Sequence, residues 1–425
     1  MRDRSVGGGE TSPGRYRWVI VALLFAATAI NYIDRQMLGV LKPTLQADMG
    51  WNEAAFARIV FWFQFAYAVG YVTFGRVVDR VGARLGYLVA IVIWTLSHMA
   101  HGLAGSVGQF ALARVGLGIG ESGSFPAGIK AVTEWFPQRE RAFAIGLFNA
   151  GSNVGAIITP LLVPAIVLLF DWRMAFFLTG GFGLVWAAAW WAIYRSPDDN
   201  KSVSARELDY IRQDLPDSSA QMPWGSVLVR RETWAYALGK FFIDPIWWFF
   251  LFWLPGYLFE RYQLDLKSFG LPLAAIYLIS DFGSVGGGWF SSRLIRAGLS
   301  VNLARKLTML VSAGMVAPIW FAQDVSNLWG AVLLIGLAAA GHQAFSANLM
   351  TLPSDLFPQN AVGSVVGIGG TLGAIGGMGM ALFTGHILET THGYALLFAI
   401  CASAYFVALV AIQLLSPRLA RVDTA

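Results

Sequence analysis

The chain has 425 residues, 56% hydrophobic and only 13% charged, with a net charge of +5. Soluble domains are about 25% charged, whereas here apolar runs of about 20 residues, each enough to cross about 30 Å of hydrocarbon, recur along nearly the whole length. A soluble protein is excluded. The basic residues fall in short loops between apolar runs, which argues against a nucleic-acid partner.

The hydropathy pattern predicts an all-α membrane protein with twelve spans, at 16–41, 53–77, 85–105, 108–134, 142–168, 172–194, 233–259, 269–294, 304–322, 326–351, 360–386 and 393–416. The first apolar run is far longer than a signal-peptide core, so it reads as a retained helix. Span 1 contains Asn31-Tyr32-Ile33-Asp34-Arg35. A charged residue near a membrane helix centre costs about 2.5–3.5 kcal/mol on insertion scales, so such residues pair, face water or do chemistry. Span 2 offers Gln64, Tyr67 and Tyr71 as amide and hydroxyl partners for a polar solute, or as packing residues. Span 4 carries Arg114 and Glu121, which a helix places on nearly one face about 10 Å apart. They are too far apart to bond each other without bending, so each needs a partner elsewhere, and Asp34 and Arg35 are available. Gly116, Gly118 and Gly120 between them suit close backbone approach.

Span 5 carries a polar stripe of Asn149, Ser152 and Asn153, which serves a binding site or glues helices together. A polar linker at 195–232 follows span 6, and Ser204 with Glu207 suits a capping box for a short helix ending near Gln213. Span 7 places Lys240 and Asp244 at i, i+4, the spacing of an intrahelical ion pair with a structural or gating role. Trp247, Trp248 and Phe249 follow as a possible stacking face or as packing. Asp281 in span 8 has no assignable partner. Span 10 holds His342, Gln343 and Asn348, which contact solute, modulate proton movement or pack. Span 11 is dense in glycine from Gly363 to Gly379, which favours close packing and bending. No Gly-Lys-Ser/Thr follows those glycines, so they are not a nucleotide loop. The lone cysteine, Cys401, rules out an intramolecular disulfide. No metal cluster and no nucleophile–base motif points to an enzyme, and no cofactor is expected.

Alternate connections are basic and hold 21 of the 30 Lys and Arg residues. The positive-inside rule then puts both termini in the cytoplasm. The halves also repeat. At an offset of 221 residues, Gly120-Glu121 matches Gly341-His342, and Glu134-Trp-Phe-Pro-Gln138 matches Asp355-Leu-Phe-Pro-Gln359. By that arithmetic His342 stands across from Glu121. The expected organisation is a tail (1–15), a six-helix bundle (16–194), the linker (195–232), a second six-helix bundle (233–416) and a tail (417–425).

The loop after span 2, Gly75-Arg-Val-Val-Asp79-Arg80-Val-Gly82-Ala-Arg84, resembles the G-x-x-x-D-R-x-G-x-R signature of the major facilitator superfamily. Gly75 suits close helix approach and Gly82 a sharp turn. Gly288 and Arg293 form a decayed copy in the second half, with Ser292 in place of the aspartate. The resemblance implies that Asp79 meets the start of span 11 and clamps the halves together. Asn31 to Arg35, Arg114 with Glu121, and the turn at Glu134 are similar to the anion:cation symporters of that superfamily. Phe148 to Gly155, Asp244 to Trp248 and His342 to Ser346 are most similar to its hexuronate branch.

The resemblance implies that Arg35 binds a substrate carboxylate, that Asp34 and Glu121 carry protons, and that Arg114 pairs with ionised Asp34. The chemistry suits these roles: an arginine fork matches a carboxylate and stays charged. The competing reading of the four is a closed structural ion-pair network. The implied function is proton-coupled symport of a hexuronate such as galacturonate or glucuronate, by alternating access, in a functional monomer. Its expected partners are a small anionic sugar acid, protons and the lipid bilayer. Alternatives are another sugar acid such as galactonate, a small organic anion, or a sensor that binds without translocating. Sodium coupling stays open.

Overall fold

The computed structural model describes residues 14–213 and 224–419. The expected tails at 1–13 and 420–425 and the linker stretch 214–223 lie outside the described residues, as do the side chains of Asp79 and Arg139. The first half comprises α1 (Tyr16–Met49), α2 (Glu53–Ala100), α3 (Val107–Ser122), α4 (Ser124–Trp135), α5 (Gln138–Leu169) and α6 (Trp172–Ile193). Two short helices follow, α7 (Ala205–Ile211) and α8 (Trp224–Leu228). The second half comprises α9 (Arg231–Phe252), α10 (Leu254–Tyr262), α11 (Gly270–Arg296), α12 (Val301–Val316), α13 (Leu328–Leu349), α14 (Leu352–Leu356), α15 (Gln359–Thr391) and α16 (Ala395–Leu415).

Among the described residues, nine helical segments are long and apolar enough to cross a membrane. The other three expected spans are split or more polar. Span 4 is broken at Gly123 into α3 and α4, span 8 is α11, and span 9 is α12 continued by a 3-10 turn over Ala317–Gln323. Spans 2 and 3 run together through α2 but bend at Gly82, whose φ of 81° lies where a side chain would be strained. Span 7 is divided at Trp253, where Pro255 opens α10. Side-chain caps fix several starts: Asn52 accepts from the Ala55 N–H at 2.9 Å and Asp171 from the Met174 N–H at 2.7 Å.

Glycine sets the closest packing. A side chain at Gly118 or Gly120 would overlap the backbone of α2 at Phe63 or Trp94. One at Gly369 would overlap the Tyr236 ring, and one at Gly376 would crowd Phe241, so the glycines of α15 seat it on α9. Gly75 does not behave as its motif suggests. Among the described residues nothing lies within 4 Å of a side-chain position there. Arg80 is exposed, whereas Arg84 stays within its own half, donating to the Trp191 carbonyl at 2.7 Å.

The linker helix begins as expected, with the Ser204 hydroxyl accepting from the Glu207 N–H at 3.2 Å. It ends at Ile211, and the capping box closes only on one side. The Glu207 carboxylate turns instead to the start of α1, accepting from the backbone N–H groups of Tyr16 and Arg17 at 3.2 and 3.1 Å. A carboxylate is favoured at a helix N-terminus, where the first N–H groups lack partners.

The halves meet at the end of the molecule away from the basic loops. There a side chain on Gly39 would overlap the Leu251 carbonyl, and one on Gly385 would overlap Ala57. Across that contact Trp253 donates to Glu53 at 3.2 Å and Asn52 donates to Glu389 at 2.8 Å, while Glu53 also pairs with Lys42 of its own half at 2.6 Å. Toward the basic end, nothing described lies within 4 Å of side-chain positions at Gly75, Gly286, Gly288 or Gly363.

Candidate functional site

Adjacent residues on a helix diverge by about 100°, and in α1 this separates Asp34 from Arg35. Arg35 turns toward the second half. Its Nε and Nη2 lie 2.9 and 2.8 Å from one oxygen of Glu121 on α3, and Nη2 also donates to the Asn31 side-chain oxygen at 3.1 Å. Four aromatic rings surround the guanidinium: Tyr32, Phe63, Tyr67 and Trp248, with centroids 5.1, 5.8, 5.0 and 5.4 Å away. Trp248 belongs to α9, so both halves contribute. The other Glu121 oxygen, Oε1, is buried without a hydrogen-bond partner among the described residues.

Asp34 turns into the first half and is fully buried. Arg114 is also fully buried, and its three guanidinium nitrogens make no hydrogen bond to described residues; its carbon lies 5.6 Å from the Phe63 ring. No Arg114–Asp34 ion pair forms within 4 Å in this structure, although each is an electrostatic neighbour of the other. Asp34 instead faces His98 of α2, with Oδ1 3.2 Å from the imidazole Nε2.

Gln64 is buried beside Trp248, both flanking Gly377, and neither of its amide atoms has a protein partner among the described residues. Tyr67 and Trp248 thus gather around Arg35, with Gln64 beside Gly377. The stripe on α5 is local: Ser152 donates to the Asn149 carbonyl at 2.7 Å and to the Asn153 side chain at 3.3 Å, and Asn149 is exposed.

The candidates on α13 separate. His342 is buried, stacked on Trp247 at 4.9 Å and bonded to the Tyr405 hydroxyl at 2.6 Å. Gln343 is half-buried. Asn348 lies apart, donating to the Gly287 and Ala344 carbonyls at 3.2 and 2.9 Å and accepting from Arg305, which also pairs with Asp355. Lys240 and Asp244 form the expected intrahelical pair, 2.8 Å apart.

Sequence reasoning missed His98. The signal was present, because His98 and His101 stand three residues apart inside an apolar run. A cavity of about 550 Å³ lies elsewhere, by the basic loop, lined among others by Gly82, Arg84, Glu134 and Tyr194. None of the substrate-binding candidates lines it.

Comparison with known proteins gives these features a context. Residues 24–379 match the model of the Major Facilitator Superfamily. The chain is 32% identical over 392 residues to the hexuronate transporter of Escherichia coli K12, covering 91% of this chain and 90% of that one. It is 33% identical over 304 residues to the galacturonate transporter of Dickeya chrysanthemi, covering 70% of this chain and 88% of that one. It is 31% identical over 397 residues to a D-galactonate transporter of Escherichia coli O6:H1, covering 90% and 91%. In fold it is similar to a bacterial homolog of the human lysosomal transporter Spinster, solved inward-facing and occupied, with a TM-score of 0.70, 18% identity and 96% of each chain covered. With an all-helical fold, nine apolar helical segments among the described residues and a family match over most of its length, the chain belongs to the Major Facilitator Superfamily and is a multi-pass membrane transport protein, not an enzyme.

Proposed function

We propose that the protein is a proton-coupled symporter that imports hexuronates, galacturonate or glucuronate, across the inner membrane by alternating access, with both termini in the cytoplasm. The observation that carries this reading is the Arg35–Glu121 pair, at 2.8 Å, within a cage of aromatic rings from both halves. A guanidinium fork binds one carboxylate well. While Glu121 is ionised it occupies that fork. A proton added to Glu121 weakens the pair and frees Arg35 for the carboxylate of a sugar acid. Proton and anion then enter together because the anion takes the place in the fork that the protonated Glu121 gives up. Gln64 and Tyr67 supply amide and hydroxyl partners for sugar hydroxyls, and Trp248 a ring face.

The basic end is the cytoplasmic one by the positive-inside rule, so packing of the halves at the opposite end corresponds to an inward-facing arrangement. Asp34, beside Arg114, is the second proton site. Two protons with a monoanion move one net charge, which adds about 2.3 kcal/mol per 100 mV to the driving force.

A second reading keeps the mechanism and changes the solute to another sugar acid such as galactonate. Its support is the near-equal identity to hexuronate and galactonate carriers, 32% and 31%. The test is uptake of radiolabelled galacturonate into proteoliposomes with an inside-alkaline gradient and no sodium. Accumulation above the outside concentration is expected. Stronger accumulation of galactonate in the same vesicles would favour the second reading, and accumulation of neither would remove both.

A further inference from the structure

We infer that His98 is a positioning residue for proton release, a switchable hydrogen-bond donor shared between Thr179 and Asp34. The inference rests on the proposed proton coupling and adds to it a residue that the pairing of Asp34 with Arg114 leaves out.

The geometry favours one tautomer. The Thr179 hydroxyl donates its one hydrogen to the Ala175 carbonyl, 2.8 Å away in α6. The contact between Thr179 Oγ1 and His98 Nε2, also 2.8 Å, therefore favours a hydrogen on Nε2. The same Nε2–H stands 3.2 Å from Asp34 Oδ1, at ion-pair distance but not aligned as a hydrogen bond. Its partner in this structure is Thr179. The ring is fully buried and packed against Phe176 at 5.1 Å, so a small change of tilt, not a new rotamer, redirects the N–H.

One other donor competes for this role. His101 is committed to the backbone, its Nδ1 bonded to the Ser97 and His98 carbonyls at 2.8 and 3.1 Å, with its ring stacked on Phe176. Glu121 and Arg114 act on Asp34 electrostatically from α3, and the indole N–H of Trp94 in α2, which makes no hydrogen bond among the described residues, lies beside the same carboxylate. Arg35, next in sequence, is held by Glu121. Thr179 is the polar group that α6 presents to His98.

The chemistry follows. With Asp34 protonated, the His98 N–H stays on Thr179. When Asp34 gives up its proton, the carboxylate draws the N–H across. The anion then forms next to a donor already in place, with the Arg114 charge close by. His98 itself keeps its proton throughout and carries none across the membrane.

The test is the internal pH at which galacturonate uptake into proteoliposomes is half-maximal, with the outside held acidic. Removing the donor with His98→Phe leaves the ionised carboxylate less stabilised, and the midpoint is expected to move alkaline by about one unit. His98→Gln retains an amide N–H and is expected to stay near the wild type. Thr179→Val removes the competing acceptor and is expected to move the midpoint acid, the opposite direction. A packing defect would move both substitutions the same way, and that result, or no movement in either, overturns the inference. If His98→Phe does not reach the membrane, Thr179→Val decides: an acid shift supports the switch, and an unmoved or alkaline midpoint overturns it. If the wild type exchanges galacturonate without any dependence on internal pH, the coupling itself falls and the inference with it. An internal pH dependence that all three variants share would remove His98 alone.

Discussion

Replacing Arg35 by lysine keeps the charge and removes the fork. A lysine offers a point charge where Glu121 meets two nitrogens in one plane, the fork proposed to receive the substrate carboxylate. Losing a charge-assisted hydrogen bond of this kind should lower kcat/KM for uptake by about 10- to 100-fold, measured as initial rates over a range of substrate concentrations. Trp248→Leu tests the contribution of the second half. It removes one ring from the guanidinium cage and should raise KM by about 3- to 10-fold, with the pH profile unmoved. That Arg114 and Glu121 need partners outside their own helix, with Asp34 and Arg35 available, was legible in the sequence, because charges within spans must find partners; which pairs with which was not. Nor was the direction of Asp34. Whether a buried carboxylate meets Arg114 or His98 depends on how α1 is rotated against α2 and α3, which no local pattern encodes. Asn348 shares a span with His342, but six residues of helix put them at different depths, one against Trp247 and the other against Arg305.

Close helix contact is the property on which the elements depend. Gly120→Ala sets a methyl group against the Trp94 backbone, where the neighbour has nowhere to move. It should destabilise the protein by about 1–3 kcal/mol, read as a lower melting temperature in detergent. Gly75→Ala should be near neutral, since the described surroundings leave room. At the linker, Glu207→Gln weakens the cap on α1 and the contact with Arg17. Faster proteolytic cleavage within 195–232 is the expected consequence, with uptake little changed. The span positions were readable because hydropathy reports membrane crossing directly. The breaks at Gly123 and Trp253 were less so, since a glycine or proline inside an apolar run is as compatible with a bend as with a continuous helix. The half-formed capping box is of the same kind: Ser204 obeys a local rule, while Glu207 follows a partner 190 residues away in sequence.

For the whole molecule, the halves pack closely at the end away from the basic loops. Gly39 lies against Leu251, and Gly385 lies against Ala57. Gly39→Ala should hold the halves apart at that end. A cysteine placed at Ala57, buried in the present arrangement, should then react several-fold faster with a membrane-impermeant maleimide than the same cysteine with Gly39 intact. The native Cys401 is fully buried and should add little background. The all-helical, multi-pass fold could be read from the sequence; which end packs tightly could not, because contacts between distant helices follow no local pattern.

The central claim is that Glu121 holds Arg35 until a proton arrives. It is tested most directly by Glu121→Gln, comparing gradient-driven galacturonate accumulation with galacturonate exchange at equal pH on both sides. An amide cannot ionise, so the fork stays available and exchange should persist while accumulation is lost. Accumulation by Glu121→Gln at the wild-type level would contradict the account and take the proton away from this residue.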